Sequence, residues 1–352
     1  MIDFPSILEK LIARKDLSAG EARAAMIEIL SGAVPQTRIA AFLVALRSKG
    51  ESARELAGFV RAMRESMSKV ASDHAVIADT CGTGGDGKGT FNISTAAAFV
   101  AAGAEVPVAK HGNRSISSAC GSADVLEALG VKVDMSKEVS EACLKDVGIT
   151  FLFAPLYHPA MKNVGPVRKE LGIRTVFNFL GPLANPAGAR AQVIGVPRKE
   201  FVPLIAKTLN ELNGRGNSTA IVVHEDGHDE IVLSGKSVVA EVHGGKIKTT
   251  SLSPKDFGLP KAKPGILKGG DARTNAAILK DLLANPQHPL ADIVIANASL
   301  AIYCAEKTGR KKPPPDAKLR KESVERARVS LKSGAAAKKL ALLVARSNAI
   351  SR

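Results

Sequence analysis

The stretch Ala75-Val76-Ile77-Ala78-Asp79-Thr80-Cys81-Gly82-Thr83-Gly84-Gly85-Asp86-Gly87-Lys88-Gly89-Thr90-Phe91-Asn92-Ile93-Ser94-Thr95 carries the decisive change of pattern in this chain. A short β-type run, Ala75 to Ala78, enters a loop with five glycines in the eight positions from 82 to 89, and an apolar helical run, Ser94 to Ala102, follows. Strand, glycine loop and helix in that order open a parallel α/β unit. The glycines let backbone N–H groups converge and let the main chain approach a ligand, while the helix adds its positive N-terminal end. Phosphate is the expected guest. A flexible surface turn would explain one or two glycines but not a dense cluster between a buried strand and a helix.

Two familiar phosphate motifs fit this loop incompletely. Gly82-x-Gly84-x-x-Gly87 matches the dinucleotide fingerprint, but the next strand ends in Lys110-His111, where an acid should hold a ribose. Gly82-x-x-x-x-Gly87-Lys88 approaches a Walker A loop, yet Gly89 stands where a magnesium-binding hydroxyl belongs.

Working outward, further strands are expected at Val106 to Ala109, Ile149 to Phe153, Gln192 to Val196 and Thr219 to Val223, with a helix at Ser122 to Leu129. Val238 to Val242 and Lys246 to Thr250, joined at Gly244-Gly245, read as an edge hairpin. Residues 1 to about 72 read as helices alone. Ser18-x-x-Glu21 and Ser52-x-x-Glu55 are capping-box starts, and Gly32 and Gly50 are stops. The run Ile39 to Leu46 is apolar almost all round, which suggests burial on two sides and a subunit contact. Beyond Asp271 the chain returns to helix, with Pro313-Pro314-Pro315 breaking it before the last two helices. No solenoid-type repeat is found.

Composition agrees with a folded α/β chain. Of 352 residues, 45% are hydrophobic and 24% charged, and the most apolar stretch, Ile93 to Ala109, is interrupted by Gly103, Glu105 and Pro107. The N-terminus lacks the pattern of a secretory signal, so a cytoplasmic address is expected. Cys81, Cys120, Cys143 and Cys304 are widely spaced, which reads as free thiols and, with 7 scattered histidines, offers little to zinc. The net charge is +15, and Lys307 to Lys339 holds 12 Lys and Arg against 3 Asp and Glu, or +9 of that total. With no Trp and only 2 Tyr, this patch reads as a solvated helix surface before a nucleic-acid site.

A second loop follows the second strand: Lys110-His111-Gly112-Asn113-Arg114-Ser115-Ile116-Ser117-Ser118-Ala119-Cys120-Gly121-Ser122-Ala123-Asp124. Two cations, an amide and four hydroxyls lie at the carboxyl end of a neighbouring strand, where open parallel sheets bind ligands, so both loops are expected to face one pocket.

Gly-Thr-Gly-Gly-Asp at 82–86, Asn-Ile-Ser-Thr at 92–95, Lys-His-Gly-Asn-Arg-Ser at 110–115 and Gly-Ser-Ala-Asp at 121–124 together resemble the anthranilate phosphoribosyltransferase family. Arg-Thr-Val-Phe-Asn-Phe-Leu-Gly-Pro-Leu at 174–183 and Asp-Glu at 229–230 extend the resemblance over nearly the whole chain. It implies a nucleoside phosphorylase/phosphoribosyltransferase-like α/β fold. A small helical domain, 1–72, would be joined near 164–185 to a large domain, 73–352, with a mostly parallel sheet flanked by helices. The implied reaction is displacement of diphosphate from 5-phosphoribosyl 1-diphosphate by anthranilate, a step of tryptophan biosynthesis. Magnesium, two ions per subunit, and a homodimer formed through the helical domain are implied with it.

Carried over by position, the resemblance puts Gly82, Gly85, Asp86, Thr90, Asn92, Ile93, Ser94 and Thr95 on the phosphoribosyl donor. Lys110, His111, Gly112, Asn113, Arg114, Ser115, Ile116, Ser117, Ser118 and Ser122 join them. Ser94, Asp229 and Glu230 would serve magnesium. Gly82, Asn113, Arg168, His111 and His158 would meet anthranilate, and no general base is assigned. One departure stands out: Gly227-His228 precedes the acids where the family usually has glycine and an apolar residue. Neighbouring residues of a regular strand face opposite ways, so both acids can reach one metal only if the chain leaves the strand near Gly227. Arg168 suits a carboxylate, though by itself it reads equally as a surface charge. Two other readings are a pyrimidine nucleoside phosphorylase and a nucleic-acid-binding relative without catalysis. Lys110 to Arg114 with Arg168 speaks against the first, and the intact loops with the acidic pair speak against the second.

Overall fold

The computed structural model describes residues 2–115, 119–214, 216–263, 265–310 and 312–349. Four helices come first: α1 (Phe4–Ile12), α2 (Ala19–Ser31), α3 (Gln36–Lys49) and α4 (Ala53–Ser66). Both expected capping boxes form, Ser18 with Glu21 and Ser52 with Glu55, and Gly32 closes α2 at φ 82°. Gly58 lets α4 lie directly on α2, since a Cβ there would come within 2.5 Å of the Ala19 carbonyl oxygen.

The remaining chain alternates strand and helix: β1 (Ala78–Asp79), α5 (Ile93–Gly103), β2 (Val108–Gly112), α6 (Ser122–Ala128), α7 (Lys137–Val147) and β3 (Ile149–Phe153). Short helices α8 (Ala154–Tyr157), α9 (Gly165–Leu171) and α10 (Phe177–Leu180) lead to β4 (Ala191–Gly195), α11 (Phe201–Asn213) and β5 (Thr219–His224). The hairpin β6 (Ser237–His243) and β7 (Lys246–Leu252) precedes α12 (Ala272–Ala284), α13 (Ala291–Gly309), α14 (Asp316–Lys332) and α15 (Ala335–Asn348). The sheet order is β3-β2-β1-β4-β5-β6-β7, parallel from β3 through β5 and antiparallel across the hairpin. The chain therefore reverses its direction of travel across the sheet at β1, leaving a crevice between the carboxyl ends of β1 and β4.

Each sheet face has its own core. One cluster joins α5, α6, α7 and α12–α15 to the sheet. The other runs from Phe42, Leu43 and Phe59 of the N-terminal helices through Val164, Val176, Phe177 and Leu180 to Ile205 and Leu209 of α11. The N-terminal helices are thus packed on the 164–185 segment and on α11.

Several expectations need correction. The first strand is Ala78–Asp79, because only there does the chain find partners on both sides, Ala78 opposite Val108 and Ala191. The second runs on to Gly112, because β3 supplies Phe151, Leu152 and Phe153 opposite Lys110, His111 and Gly112. Lys110 and His111 are therefore strand residues. The helix after the glycine loop starts at Ile93, one residue early. The Ile39 to Leu46 run is not covered all round in the single chain: Ile39, Phe42, Leu43 and Leu46 are buried, whereas Ala41 and Val44 are exposed. In the basic stretch, Lys307 is buried against Glu241 and Asp316, and Arg326 is paired with Glu306. Among the described residues no helix is long and apolar enough to cross a membrane.

Candidate active site

Strand alternation divides the site. Lys110 and His111 are both buried but face opposite sides of the sheet. Lys110 Nζ lies 3.3 Å from Thr80 Oγ1 and 3.3 Å from Ser94 Oγ, beneath the glycine loop and the start of α5. His111 Nδ1 instead lies 3.0 Å from the Gly181 carbonyl oxygen, and its ring stands 5.1 Å from that of His158. Asp79 ties the strands that carry these groups. It accepts from the N–H of Cys81 and His111 and from Asn185 Nδ2, which also donates to the Ala109 carbonyl. Burial pushes the Asp79 carboxyl up to about 6, with Lys110 and these hydrogen bonds opposing.

On the Lys110 side a cavity of about 1470 Å³ is bounded by the glycine loop from Gly84 to Ser94, by Cys120, and by the acids Asp229 and Glu230. Segment 267–269 closes another wall, with Phe91 N–H donating to Leu267 and Gly269 N–H to Gly89. Gly82 sits at the β1–β4 crevice, where Thr83 N–H donates to the Gly195 carbonyl. A Cβ on Gly195 would lie 1.5 Å from the Asp229 carbonyl oxygen, so the acidic segment is pressed onto the end of β4.

The chain leaves β5 as the spacing required. Asp226 at φ 50° and Gly227 at φ 80° form a tight reversal closed by paired hydrogen bonds between Glu225 and His228. Glu225, 1% exposed, accepts from the N–H groups of Val232, Leu233, Ser234 and Gly235 and from the hydroxyls of Ser234 and Ser237. Burial works to raise its carboxyl, but these bonds outweigh it and hold the group ionised. It pins both ends of the segment that carries the acidic pair.

Asp229 and Glu230 have the opposite surroundings. Burial, then the charge of Asp86 and a hydrogen bond to it, push the Asp229 carboxyl up to about 7. Burial and then Asp229 raise Glu230 well above its ordinary range, with Lys110 opposing and Ser94 N–H donating to it at 3.1 Å. Asp86 Oδ2 is buried without a partner. Three carboxylates that repel one another and leave a lone pair unused suit an added hard cation. Among the described residues no three His, Cys, Asp or Glu side chains form a ready-made metal cage. Such a cation would therefore need further oxygens from a ligand.

The second loop is organised by Asp124, which accepts from the N–H groups of Ser115 and Gly121. Arg114 pairs with Asp124 and Glu127, and Ser122 Oγ reaches the Asn113 carbonyl. Ile116, Ser117 and Ser118 lie outside the described residues. Asn92 joins the two loops, its Nδ2 donating to the Cys120 carbonyl and its Oδ1 accepting from Asn275. Thr90 bridges to Lys268, and the buried Thr95 hydroxyl has no partner. Gly85 and Gly112 are close-approach positions, where a Cβ would meet Arg174 Nη1 at 1.7 Å and Ser122 Oγ at 2.1 Å.

On the His111 side, burial pulls the His111 imidazole down to about 3 and that of His158 to about 4, so both are neutral, each with a buried Nε2 lacking a partner. Arg168 on α9 lies over the Phe177 ring at 5.4 Å, partly buried, with no acidic partner among the described residues. His111, His158 and Arg168 do not line the large cavity. Glu225, Arg174 and Asp79 escaped the sequence reading. Only Arg174 carried a signal, as the first residue of the 174–183 motif.

The comparisons agree with this architecture. Residues 74–337 match the model described as glycosyl transferase family, a/b domain, and residues 5–67 match the helical bundle domain of that family. An anthranilate phosphoribosyltransferase of Anaeromyxobacter sp. (strain K) is 49% identical over 96% of this chain and 97% of its own length. The protein of that name from Pelotomaculum thermopropionicum is 49% identical over 96% and 94%. The crystal structure of the enzyme from Thermus thermophilus superposes with TM-score 0.88 at 43% identity, covering 99% of this chain and 100% of that one. The Saccharomyces cerevisiae enzyme in complex with PRPP and Mg superposes with TM-score 0.86 at 29% identity, over 99% and 98%. With such identity along almost its entire length, the chain belongs to the anthranilate phosphoribosyltransferase family.

Proposed function

We propose that the two faces of β2 separate the two substrates of one transfer reaction. The chain moves the 5-phosphoribosyl group of 5-phosphoribosyl 1-diphosphate to anthranilate, releasing diphosphate, in tryptophan biosynthesis. The observation that carries the division of labour is the alternation of Lys110 and His111. One faces the glycine loop and acids, the other a neutral aromatic wall.

In this reading the donor lies against Gly82, Gly85, Asp86, Thr90, Asn92 to Thr95, Lys110 and the second loop, with its charged groups on backbone N–H groups and the α5 N-terminus. Asp229, Glu230 and Ser94 would hold magnesium with the donor's own oxygens, and the ion would neutralise diphosphate charge. Two ions per subunit would share the adjacent acids Asp229 and Glu230, with Asp86 beside Asp229. Gly82 is the meeting point of the substrates, Arg168 takes the anthranilate carboxylate through its guanidinium fork, and Asn113, His111 and His158 border the ring.

The amine nitrogen attacks the anomeric carbon as the bond to the diphosphate oxygen breaks, and the electron pair of that bond leaves with diphosphate. Positive charge develops on the sugar, so alignment of the amine and stabilisation of the leaving oxygens are the chain's contributions. An aryl amine is neutral near pH 7, and its proton departs after the new bond forms, to the substrate's own carboxylate. His111 and His158, held neutral, place no competing cation beside that carboxylate. A homodimer through the exposed Ala41 and Val44 face of α3, in the cytoplasm, completes the proposal.

The test mixes purified protein, magnesium and 5-phosphoribosyl 1-diphosphate with anthranilate and follows loss of anthranilate fluorescence. A parallel sample holds a pyrimidine nucleoside and phosphate. Turnover in the first alone is expected, and turnover in the second alone would overturn the reading.

A further inference from the structure

Arg174 has no part in the chemistry just described, yet it grips the loop the donor must enter. It lies between α9 and α10, six residues beyond Arg168. Its Nη1 donates to the carbonyl oxygens of Gly84 at 3.0 Å and Gly85 at 3.3 Å. Its own carbonyl accepts from Arg47 of α3, and the next residue, Thr175, donates its N–H to Asn178 Oδ1 at the start of α10. The contact with the loop is close enough that a Cβ on Gly85, itself at φ 79°, would collide with the guanidinium.

The consequence follows from peptide geometry. In a trans peptide the C=O and the following N–H point in opposite directions, and no peptide bond in the described chain is cis. Holding the carbonyls of Gly84 and Gly85 toward Arg174 therefore turns the N–H groups of Gly85 and Asp86 away from it. Neither N–H has an acceptor among the described residues. Gly84, Gly85 and Asp86 border the large cavity, whereas Arg174 does not, so the loop stands between the guanidinium and that cavity. Successive free N–H groups turned to one side form an anion cradle.

We propose that Arg174 is a positioning residue for the donor, fixing two peptide planes so that the N–H groups of Gly85 and Asp86 meet its anionic oxygens. Through Arg47 the same residue ties the donor loop to α3. Its Nη2 is buried without a partner, so the grip on the two carbonyls runs through Nη1. The inference rests on the donor assignment above and is tested without the complete reaction.

Calorimetric titration with 5-phosphoribosyl 1-diphosphate and magnesium, with no amine present, compares wild type with Arg174→Ala and Arg174→Lys. Loss of two charge-assisted hydrogen bonds is expected to weaken donor binding by about tenfold or more in Arg174→Ala. Arg174→Lys should recover part of the loss, because one ammonium can reach one carbonyl. In steady-state assays the donor KM rises while the anthranilate KM moves by less than about threefold. Unchanged donor affinity in Arg174→Ala, or equal weakening of both substrates, overturns the proposal. If Arg174→Ala does not fold, Arg174→Lys is decisive, and donor binding equal to wild type refutes it. Failure of the wild type to bind the donor at all would instead sink the reading on which this rests.

Discussion

Replacing Asp229 by Asn tests whether the acidic pair is a cation site kept under electrostatic strain. In the folded chain the carboxyl titrates near 7 against an ordinary value of 3.8, because burial and Asp86 disfavour its charge. Between those values the folded state holds a proton that the unfolded state has released, so stability falls as pH rises through this window. The effect is on the order of a few kcal/mol, lost progressively as pH rises from the ordinary carboxylate range toward the raised value of about 7. Losing the Asp229 charge also relieves Glu230, which Asp229 pushes up, so both changes act in the same direction. Denaturant midpoints measured without divalent metal should fall for wild type as pH rises. For Asp229→Asn the profile should be flatter, with the variant the more stable protein near pH 8. Magnesium with the donor should stabilise wild type at that pH far more than the variant. Parallel pH profiles for the two proteins would show that Asp229 carries no such strain, and the electrostatic account of the site would fail.

Two further outcomes follow from single contacts. Arg168→Ala removes a partly buried guanidinium with no acidic partner, and the anthranilate KM should rise by an amount worth about 1.5–3 kcal/mol while the donor KM stays near wild type; steady-state kinetics with each substrate varied decides it, and equal effects on both would remove Arg168 from the amine side. Gly195→Ala forces a methyl group onto the Asp229 carbonyl oxygen, so a loss of about 1–3 kcal/mol of stability and a higher magnesium requirement are expected; thermal unfolding with a magnesium titration checks this, and wild-type behaviour in both would mean that β4 does not brace the acids.

Features governed by local chemistry are legible in the order of residues along the chain. A capping box needs two residues three apart, and the glycine loop needs only its spacing, so both appear where the sequence put them. The hairpin at Gly244-Gly245 and the exit of the chain from β5 at Gly227 are of this kind. The motifs at 82–95, 110–124, 174–183 and 229–230 likewise pointed to one family. Features that depend on a distant partner were hidden. Lys110 and His111 looked like loop residues because they are polar. Only β3, about forty residues on, supplies the partners that make them strand and turn them to opposite faces.

Glu225 drew no notice in the sequence, and its hydrogen bonds to 232–237 show it to be a clamp. Arg174 is a similar case. Nothing in its neighbours announces a contact with Gly84, which lies 90 residues away in the chain. The sequence alone thus settled the kind of fold, the loops and the family, since these rest on short-range spacing. Tertiary structure alone turned Lys110 and His111 to opposite faces and gave the buried acids their strain. Side-chain direction and desolvation exist only once remote segments have packed together.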